Sequence, residues 1–365
     1  MSIPKSLNIL LLEPFYSGSH KQWSVGLKRY SSHNITLSTL PGRHWKWRMH
    51  GAAITFAERH KDDINKYDLV IVSDMCDVAT LRGLLKIEAP VLLYFHENQL
   101  AYPLSSTDNK NWDRRYVWIN FTSALAADRI WFNSEYNRTS FLKGLPEFMH
   151  PLPDANKYDI DSLWEKSQVF PLGVDLASLL DHKKKSKNAI PIVLWNHRWE
   201  YDKRPEMFFN ALFKIAEEGI DFKLVLLGTR TRKYPPIFDE AKKKLEDKIL
   251  YYGAVENREE YVSLVKKCDL LPVTCIQDFF GISVVEAIAG GVVPLLPQGM
   301  AFEEHIPIDH YPELYYRSDD HFYEKLNSHI ISPGQYHLKP YVSHYDWKHR
   351  IKLYDKNFLT TSGLE

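Results

Sequence analysis

Short apolar runs that alternate with helix-length amphipathic segments are the feature that most restricts how this chain can fold. The runs are NILLLE, YDLVIVS, APVLLYF, RIWFNS, IPIVLWN, FKLVLLG, KILYYG, CDLLPVT and VVPLLP. Strands that are buried on both faces, as in parallel sheets, have apolar sequences of this kind. Segments such as RPEMFFNALFKIAEEG lie between the runs and have the pattern of crossover helices. The sequence therefore predicts an α/β protein built from parallel sheets.

The length of the chain predicts two domains, because 365 residues exceed the roughly 100 to 200 residues of an ordinary domain. The apolar runs form two sets on either side of the polar stretch VDLASLLDHKKKSKNAIP, which we interpret as the linker. We expect a doubly wound, Rossmann-like domain in residues 1–180 and another in residues 188–340. Ligands of such sheets bind at the carboxyl ends of the strands, so the cleft between the domains is the expected site. Residues 341–365 have the pattern of one amphipathic helix, which we expect to cross back to the N-terminal domain.

The composition excludes several classes of protein. The 46 basic and 46 acidic residues give no net charge, so nucleic acid can bind only at a local basic patch. The apolar run near the N-terminus is interrupted by Glu13 and is too short for a signal peptide or a membrane span. The cysteines show no paired spacing for zinc or disulfides, so we expect core thiols in a cytoplasmic protein. They are Cys76, Cys268 and Cys275.

The stretch QDFFGISVVEA follows one of the apolar runs and opens a predicted helix. Asp278 and Glu286 stand at either end of it, and a single glycine allows the backbone to turn before the helix. The free amides of a helix N-terminus bind phosphate, while the two carboxylates can accept hydrogen bonds from sugar hydroxyls. The pattern indicates a nucleotide-sugar site, although a loop acid and a surface glutamate would have the same spacing. The residues assigned to the phosphates are Gly281, Ile282 and Ser283.

Positive charge for a diphosphate is found in WNHRWEYDKRPE, which follows directly on the run IPIVLWN. Arg198 can donate two hydrogen bonds to phosphate oxygens and Lys203 adds a second charge, each contact being worth about 1.5–3 kcal/mol. The loop follows a predicted strand, so we expect it at the edge of the sheet where ligands bind. The alternative is a pair of surface charges beside a turn rich in tryptophan.

A shorter motif, LEPFYSGSHKQW, follows the first apolar run. Gly18, Ser19 and His20 precede a predicted helix, and a Gly-Ser turn at that place can bind an anion. We assign Gly18 and Ser19 to the donor and His20 to the acceptor. The alternative is an ordinary turn in which Ser19 caps the helix.

Four consecutive polar residues follow the run APVLLYF in the sequence YFHENQLAYP. A histidine at this edge of a sheet can hydrogen-bond a sugar hydroxyl in its neutral form, because its reference pKa is about 6.5. A lone histidine is more often structural, but four polar groups at a strand end more often line a site. We therefore assign a catalytic role to His96 and acceptor binding to Glu97, Asn98 and Gln99.

Basic and aromatic residues alternate in GRHWKWRMH, and WDRRYVW has a similar composition. Single-stranded RNA binds such surfaces, because its bases stack on aromatic rings for about 1–3 kcal/mol each while cations hold the phosphates. The alternative is the edge of a strand with buried tryptophans, which the residues alone favour. The residues assigned to an RNA acceptor are Trp45, Lys46, Trp47, Arg48, Arg114 and Arg115.

Together these motifs resemble a known enzyme family. QDFFGISVVEA, the basic pair upstream of it and PLGVDL are similar to the pattern of the retaining glycosyltransferases of family 4, which have the GT-B fold. That family has two acids separated by seven residues, normally both glutamate, and this chain has Asp278 as the first of them. The resemblance is closer to one branch, the tRNA-queuosine alpha-mannosyltransferases, through EPFYSGSHKQW, LYFHENQLAYP, FNSEYNRTSFL, WNHRWEYDKRPE and DFFGISVVEA. The likeness extends over nearly the whole chain, although Lys46 replaces a histidine that is common in the branch.

The resemblance implies that mannose is transferred from GDP-mannose to the cyclopentene diol of queuosine, at the wobble position of a tRNA anticodon. It implies a GT-B fold and attack from the same face as the leaving phosphate, which takes the proton of the acceptor. The catalytic residues would be Arg198, Lys203, Asp278 and His96. We expect no metal, no cofactor, no membrane association and no obligate protein partner.

Two other interpretations are compatible with the sequence. A family 4 glycosyltransferase can use a lipid or polysaccharide acceptor, but lipid-acceptor relatives usually have a basic amphipathic helix in the N-terminal half, and we find no clear one. A non-catalytic RNA-binding protein can retain a GT-B fold. The presence of Arg198, Lys203 and Glu286 in one chain argues against that interpretation.

Overall fold

Two six-stranded parallel sheets form the framework of the protein. The computed structural model describes residues 6–103, 114–153, 159–181, 188–228 and 234–364. The strands are β1 (Asn8–Tyr16), β2 (Asn34–Pro41), β3 (Leu69–Ser73), β4 (Val91–Phe95), β5 (Arg129–Phe132), β6 (Ser167–Val169), β7 (Ile192–Trp195), β8 (Lys223–Leu227), β9 (Ile249–Gly253), β10 (Leu270–Pro272), β11 (Val293–Pro297) and β12 (Tyr315–Tyr316). The α-helices are α1 (Gly18–Tyr30), α2 (Trp45–His60), α3 (Val78–Leu84), α4 (Arg114–Ala126), α5 (Glu135–Met149), α6 (Asp161–Glu165), α7 (Ala177–Leu180), α8 (Pro205–Glu217), α9 (Ile237–Lys244), α10 (Arg258–Lys267), α11 (Ile282–Ala289), α12 (Phe302–His305), α13 (Asp319–Ile331), α14 (Lys339–Val342) and α15 (Trp347–Ser362).

The chain divides into two compact units. The first contains the residues up to Asp175 together with those from Tyr345 onward, and the second contains Leu176–His344. The strand order is β2-β1-β3-β4-β5-β6 in the first unit and β12-β11-β10-β7-β8-β9 in the second. Both orders are typical of doubly wound sheets, whose strand order reverses next to the first strand. The predicted α/β fold class, with two doubly wound sheets, is confirmed. The centre of the predicted linker, residues 182–187, lies outside the described residues.

The nine apolar runs correspond to nine of the strands, and the central ones are the most buried. Every residue of β3 and β4 is buried, as expected for parallel strands covered on both faces. Three strands were not predicted, β2, β6 and β12, and all three lie at the edges of their sheets. An edge strand is covered less completely, so its sequence needs no continuous apolar run.

The C-terminal segment packs within the first unit through two large aromatic side chains. Tyr354 is fully buried, and its hydroxyl accepts a hydrogen bond from the indole of Trp23 at 3.0 Å. Trp347 lies so close to α1 that a Cβ atom on Gly26 would come within 2.3 Å of the indole. A glycine at position 26 is therefore required for α15 to dock.

The prediction of one continuous helix over residues 341–365 was wrong at its start. The chain forms α14, then a short 3₁₀ turn over Ser343–Tyr345, and α15 begins only at Trp347. Asp346 interrupts the helix because its backbone is not helical (ψ 138°), and its carboxylate accepts a hydrogen bond from the amide of Lys348 at 2.9 Å. Asp346 therefore acts as the N-cap of α15.

The structure also bears on two expectations that came from the composition. The three cysteines are buried free thiols, as the sequence predicted. Within the described residues, no helix has both the length and the hydropathy that a membrane crossing requires.

Candidate active site

The helix N-terminus that the sequence assigned to phosphate is present in the second unit. Gly281 has a φ of +80°, and α11 begins directly after it at Ile282. A Cβ atom on Gly281 would lie 2.5 Å from the ring of Phe302, so both the backbone angle and the available space require glycine. The first amides of α11 have no acceptor within the helix, and such amides bind anions.

Replacing Gly281 by alanine is expected to lower the free energy of unfolding by about 2–4 kcal/mol, because a strained φ and a steric clash add together. Urea unfolding measures the loss. Gly219→Ala is the matched control, since Gly219 also has a positive φ (+77°) but a Cβ atom on it would have no other atom within 4 Å. We expect a smaller loss there, of about 1 kcal/mol. Equal losses in the two variants would show that the contact with Phe302 is unimportant.

Two residues at the carboxyl end of β7 hold the start of α11. The amide of Asn196 donates to the carbonyl of Ser283 at 2.9 Å and to the hydroxyl of Tyr261 at 3.1 Å. His197 Nδ1 lies 3.0 Å from Ser283 Oγ. Burial, reinforced by the charge of Lys203, lowers the pKa of His197 to about 4, so the ring is neutral near pH 7. Neither Asn196 nor His197 was predicted as a site residue, although both belong to the WNHRW motif.

Lys203 is the most buried cation of the predicted donor site. Only 8% of the residue is exposed, and Nζ lies 3.2 Å from Asp202 Oδ2 and 3.4 Å from Asp278 Oδ2. Burial lowers the pKa of Lys203, but the carboxylates of Asp278 and Asp202 outweigh burial and raise the pKa above its usual value. Burial likewise raises the pKa of Asp278, but Lys203 and the hydrogen bond from the amide of Phe280 together outweigh burial, so the pKa is lowered. Lys203, in the short 3₁₀ turn after β7, and Asp278, in the loop before α11, therefore form an ion pair. Asp202, which was not predicted from the sequence, is the second carboxylate in contact with Lys203.

Arg198 is far more exposed than Lys203. Its side chain is 58% exposed, and its guanidinium lies 3.3 Å from Glu200 and 3.9 Å from Asp202. Because Asp202 contacts both cations, Arg198 and Lys203 belong to one charged group at the end of β7. An exposed guanidinium of this kind is accessible to a phosphate from solvent.

Glu286 is held by two residues that were not predicted from the sequence. One carboxylate oxygen lies 2.5 Å from Arg258 Nη1, and the other accepts a hydrogen bond from the hydroxyl of Tyr261 at 2.8 Å. Arg258 and Tyr261 are three residues apart on α10 and therefore share a face, a spacing that the segment NREEYVSLVKK already contained. Glu286 is only 6% exposed, so it is not the surface glutamate of the alternative interpretation. A carboxylate has about four acceptor positions, so two remain for ligand hydroxyls.

In the first unit, the Gly-Ser motif forms the first turn of a helix and does not precede it. Helix α1 begins at Gly18, whose φ is +49°, and both Gly18 and Ser19 are exposed. The prediction that these residues lie before the helix was wrong, and so was the alternative that Ser19 is the N-cap. The N-cap residue is Ser17. Its backbone is extended, and its side chain makes no capping hydrogen bond.

Four ionisable side chains lie together at the carboxyl edge of the first sheet: Glu13 in β1, Asp74 after β3, His96 after β4, and His20 in the first turn of α1. His20 Nδ1 lies 3.1 Å from Glu13 Oε1, and the rings of His20 and His96 are 4.0 Å apart. Burial lowers the pKa of His20, but Glu13 outweighs it and raises the pKa to about 9. Burial and the neighbouring His20 lower the pKa of His96 well below its usual value. Near pH 7, His20 is therefore a cation and His96 is neutral.

The three residues after His96 differ in what they contact. Asn98 is fully buried, its amide donates to Asn137 Oδ1 at 2.9 Å and Ser140 Oγ at 3.0 Å, and its Oδ1 accepts from the amide of Ala101 at 2.8 Å. Asn98 therefore holds the loop in place, and its assignment to the acceptor stays a prediction. Glu97 and Gln99 are partly buried, and Glu97 Oε1 accepts from Gln99 Nε2 at 3.0 Å.

The segment GRHWKWRMH is helical, so the alternative of a strand edge with buried tryptophans is wrong. Helix α2 begins at Trp45, after His44 in a left-handed conformation with a φ of +58°. Trp47 is 62% exposed and Lys46 is also exposed. Arg48 is partly buried, and its Nε donates to the carbonyl of Pro41 at 3.2 Å.

The described part of the second basic and aromatic segment, residues 114–118 of WDRRYVW, contacts the first segment through aromatic side chains. The ring of Tyr116 in α4 lies 5.0 Å from the ring of Trp45, and the guanidinium of Arg115 lies 6.0 Å from the ring of Tyr116. Arg114 begins α4, but its side chain lies outside the described residues. Helices α2 and α4 therefore adjoin in the first unit through the buried ring of Tyr116.

Comparison with known proteins decides the family. Residues 8–174 match the family model described as tRNA-queuosine alpha-mannosyltransferase N-terminal, and residues 180–312 match the model described as glycosyl transferases group 1. A tRNA-queuosine alpha-mannosyltransferase of Drosophila melanogaster is 30% identical over 349 residues, which cover 88% of this chain and 92% of that relative. The chain belongs to the tRNA-queuosine alpha-mannosyltransferase family. The resemblance predicted from the motifs is confirmed.

Solved glycosyltransferase structures share the fold. HepE of Anabaena in complex with UDP has a TM-score of 0.67 and 13% identity, covering 97% of this chain and 100% of that one. Sucrose-phosphate synthase of Thermosynechococcus elongatus has a TM-score of 0.70 and 12% identity, with the same coverage. At such low identity the likeness establishes only the fold, and it confirms the predicted GT-B class.

The two family models divide the candidate site residues of this family member into two sets. Lys203, Asp278 and Glu286 lie within the general glycosyltransferase model, residues 180–312. The His20–His96 group and the exposed tryptophan of α2 lie within the model that is specific to the tRNA-queuosine alpha-mannosyltransferases, residues 8–174.

Proposed function

We propose that this protein transfers mannose from GDP-mannose to the cyclopentene diol of queuosine in a tRNA anticodon, with retention of configuration at the sugar. One observation carries the proposal: a buried lysine, an exposed arginine and a helix N-terminus stand together in the unit that matches general glycosyltransferases. The name of the Drosophila relative supports the sugar and the acceptor. The tRNA acceptor is further supported by the basic and aromatic surface in the family-specific unit.

The donor site stabilises the charge that develops on the leaving nucleotide. When the bond between the sugar C1 and the phosphate oxygen breaks, GDP gains negative charge. Lys203, Arg198 and the amides of Ile282 and Ser283 supply positive potential for that charge, and they stabilise the transition state more than the bound donor. These cations perform the task that a metal ion performs elsewhere, so the proposal includes no metal at the diphosphate.

The carboxylates of the donor site have binding roles. Glu286, fixed by Arg258 and Tyr261, accepts hydrogen bonds from the ribose hydroxyls of GDP. Asp278 fixes Lys203 and directs its remaining acceptor positions to the transferred sugar. Neither carboxylate is proposed as a nucleophile. The acceptor hydroxyl forms its new bond to C1 on the face that the phosphate leaves, and the departing phosphate oxygen takes the hydroxyl proton.

Mass measurement of the modified nucleoside tests this function. The protein is incubated with queuosine-containing tRNA and each of several nucleotide sugars, and the tRNA is then digested to nucleosides. We expect a gain of one hexose on queuosine with GDP-mannose only, and an alpha linkage by nuclear magnetic resonance. Absence of the gain with GDP-mannose, or its presence on tRNA that lacks queuosine, would contradict the proposal.

Replacing the exposed Trp47 by alanine is expected to weaken tRNA binding about 5- to 100-fold, because one aromatic stacking contact is worth about 1–3 kcal/mol. The affinity for GDP should stay within a factor of about two, since Trp47 lies in the first unit. Fluorescence anisotropy with labelled tRNA measures the change. Leu250→Ala removes a similarly exposed apolar side chain (55%) from the second unit and should have no effect. Equal tRNA affinity of the Trp47 variant and the wild type would exclude α2 from the RNA surface.

A further inference from the structure

The four ionisable side chains of the first unit form a built site that the donor chemistry does not use. Glu13, Asp74 and His96 come from β1, β3 and β4, which are neighbours in the sheet, so their side chains meet at one edge. Their exposed fractions are 0%, 1% and 5%, and that of His20 is 5%. The sequence separations between them are large, so the group exists only because the sheet brings the strands together.

Several polar atoms of this cluster lack a hydrogen-bond partner among the described residues. They are Glu13 Oε2, Asp74 Oδ2 and both ring nitrogens of His96. The opposite oxygens are satisfied, because Glu13 Oε1 accepts from His20 and from the amide of Phe15 at 2.9 Å, and Asp74 Oδ1 accepts from the amide of His96 at 2.9 Å. Buried polar atoms in native proteins are nearly always paired, so unpaired ones that converge on one place indicate a ligand.

A metal ion is the first ligand to consider, because one donor atom each from Glu13, His20 and His96 lie within 4.8 Å of one another. A histidine ligates a metal ion only through an unprotonated ring nitrogen. His20 Nδ1 is hydrogen-bonded to Glu13 Oε1, and Glu13 raises the pKa of His20 to about 9. Near pH 7 the ring of His20 is therefore protonated and offers no lone pair to an ion.

Hydroxyl groups fit the cluster better than an ion or a phosphate. The negative charge of Glu13 repels phosphates and carboxylates, whereas the oxygens of Glu13 and Asp74 can accept hydrogen bonds from neutral hydroxyls. Burial raises the pKa of Asp74 to about 8, so Asp74 can also donate near pH 7. The neutral ring of His96 offers one donor and one acceptor. The cluster thus presents donors and acceptors to a ligand that has both, as adjacent hydroxyls do.

We infer that Glu13, Asp74 and His96 bind the two adjacent hydroxyls of the acceptor, with His20 balancing the charge of Glu13. This inference rests on the proposed function for the identity of the acceptor, whose cyclopentene ring carries such a diol. Glu13 and Asp74 are acceptor-binding residues in addition to those assigned from the sequence. The unpaired atoms are sealed from solvent, so neighbouring side chains must move before the diol can enter.

The test compares the binding of two tRNAs that differ only at the wobble position, one with queuosine and one with guanosine, which lacks the diol. We expect the wild type to bind the queuosine tRNA at least tenfold more tightly. Glu13→Gln keeps the shape of the side chain and an acceptor for the amide of Phe15, and should reduce the preference below threefold. The affinity of the Glu13→Gln variant for the guanosine tRNA should stay within a factor of about two of the wild-type affinity. Asp63→Asn is the matched control, because Asp63 pairs with His60 at 3.0 Å outside the cluster.

Three outcomes would overturn the inference: a wild type with no preference between the two tRNAs, a Glu13→Gln variant that keeps the full preference, or a preference that disappears on chelation with EDTA. A second arm compares GDP with GDP-mannose, since a donor sugar also carries adjacent hydroxyls. If Glu13→Gln changes the relative affinities for GDP and GDP-mannose but leaves the tRNA preference unchanged, the cluster binds the donor and the inference is wrong. Should Glu13→Gln fail to fold, Asp74→Asn is used in the same assays. These are binding measurements, so they remain informative even if the nucleoside mass assay shows no transfer.

Discussion

Replacing Lys203 by methionine is expected to slow mannose transfer by about 10²–10³-fold, the usual loss when one preorganised group that stabilises transition-state charge is removed. Lys203 is the buried cation in the turn after β7, and it pairs with Asp202 and Asp278. Without Lys203, the leaving diphosphate loses a positive charge that stabilises it. Water can compensate for such a loss at an exposed site but not at a buried one. Single-turnover kinetics with saturating GDP-mannose measure the loss.

The same substitution removes the partner of two carboxylates, which is expected to lower the free energy of unfolding by up to about 3–5 kcal/mol. Two variants separate stability from catalysis. Lys203→Met combined with Asp278→Asn removes one of the two carboxylate charges that the single variant leaves unpaired. The double variant should therefore recover part of the stability but not the rate of transfer. Lys248→Met removes a lysine that pairs with Asp221 at 3.1 Å elsewhere in the unit, and should leave transfer unchanged. A folded Lys203→Met protein with the wild-type rate would disprove the role assigned to Lys203.

Replacing Glu286 by glutamine is expected to weaken GDP binding about 10- to 100-fold, because hydrogen bonds to a charged acceptor are worth about 1.5–3 kcal/mol. The glutamine side chain has no charge with which to hold Arg258. Its amide nitrogen also donates a hydrogen bond where the ribose hydroxyls require an acceptor. Calorimetry should show the specific consequence. The wild type should prefer GDP to 2′-deoxy-GDP, and the variant should bind both with similar, weak affinity.

The control for this variant is Glu259→Gln, which removes one negative charge from the exposed side of α10, next to Arg258. It should keep the full preference for ribose, since Glu259 has no proposed contact with the nucleotide. A Glu286→Gln protein that still distinguishes the two nucleotides would show that ribose is recognised elsewhere.

The fold could be predicted from the sequence because burial on both faces leaves a direct mark on central parallel strands. Edge strands leave no such mark, and the two-residue strand β12 is too short to give any pattern. The start of α11 was also predictable, because only glycine adopts the required conformation at position 281 without strain. Local rules of this kind depend on neighbouring residues, which the sequence displays.

The residues that support the site were harder to predict, because their contacts join distant parts of the chain. Tyr261 and Glu286 are 25 residues apart, and Asp74 and His96 are 22 apart. Glu13 was interpreted only as an interruption of an apolar run. Glu13 is a charged residue near the end of an otherwise apolar, buried strand. That position was the signal available in the sequence, because an ionised group is rarely buried without a partner or a ligand.

A structure of the protein in complex with GDP tests the central claim most directly. We predict that the diphosphate contacts Lys203, Arg198 and the amides of Ile282 and Ser283, and that Glu286 accepts hydrogen bonds from the ribose hydroxyls. A diphosphate bound away from the start of α11, with Lys203 still paired only to its carboxylates, would contradict the account.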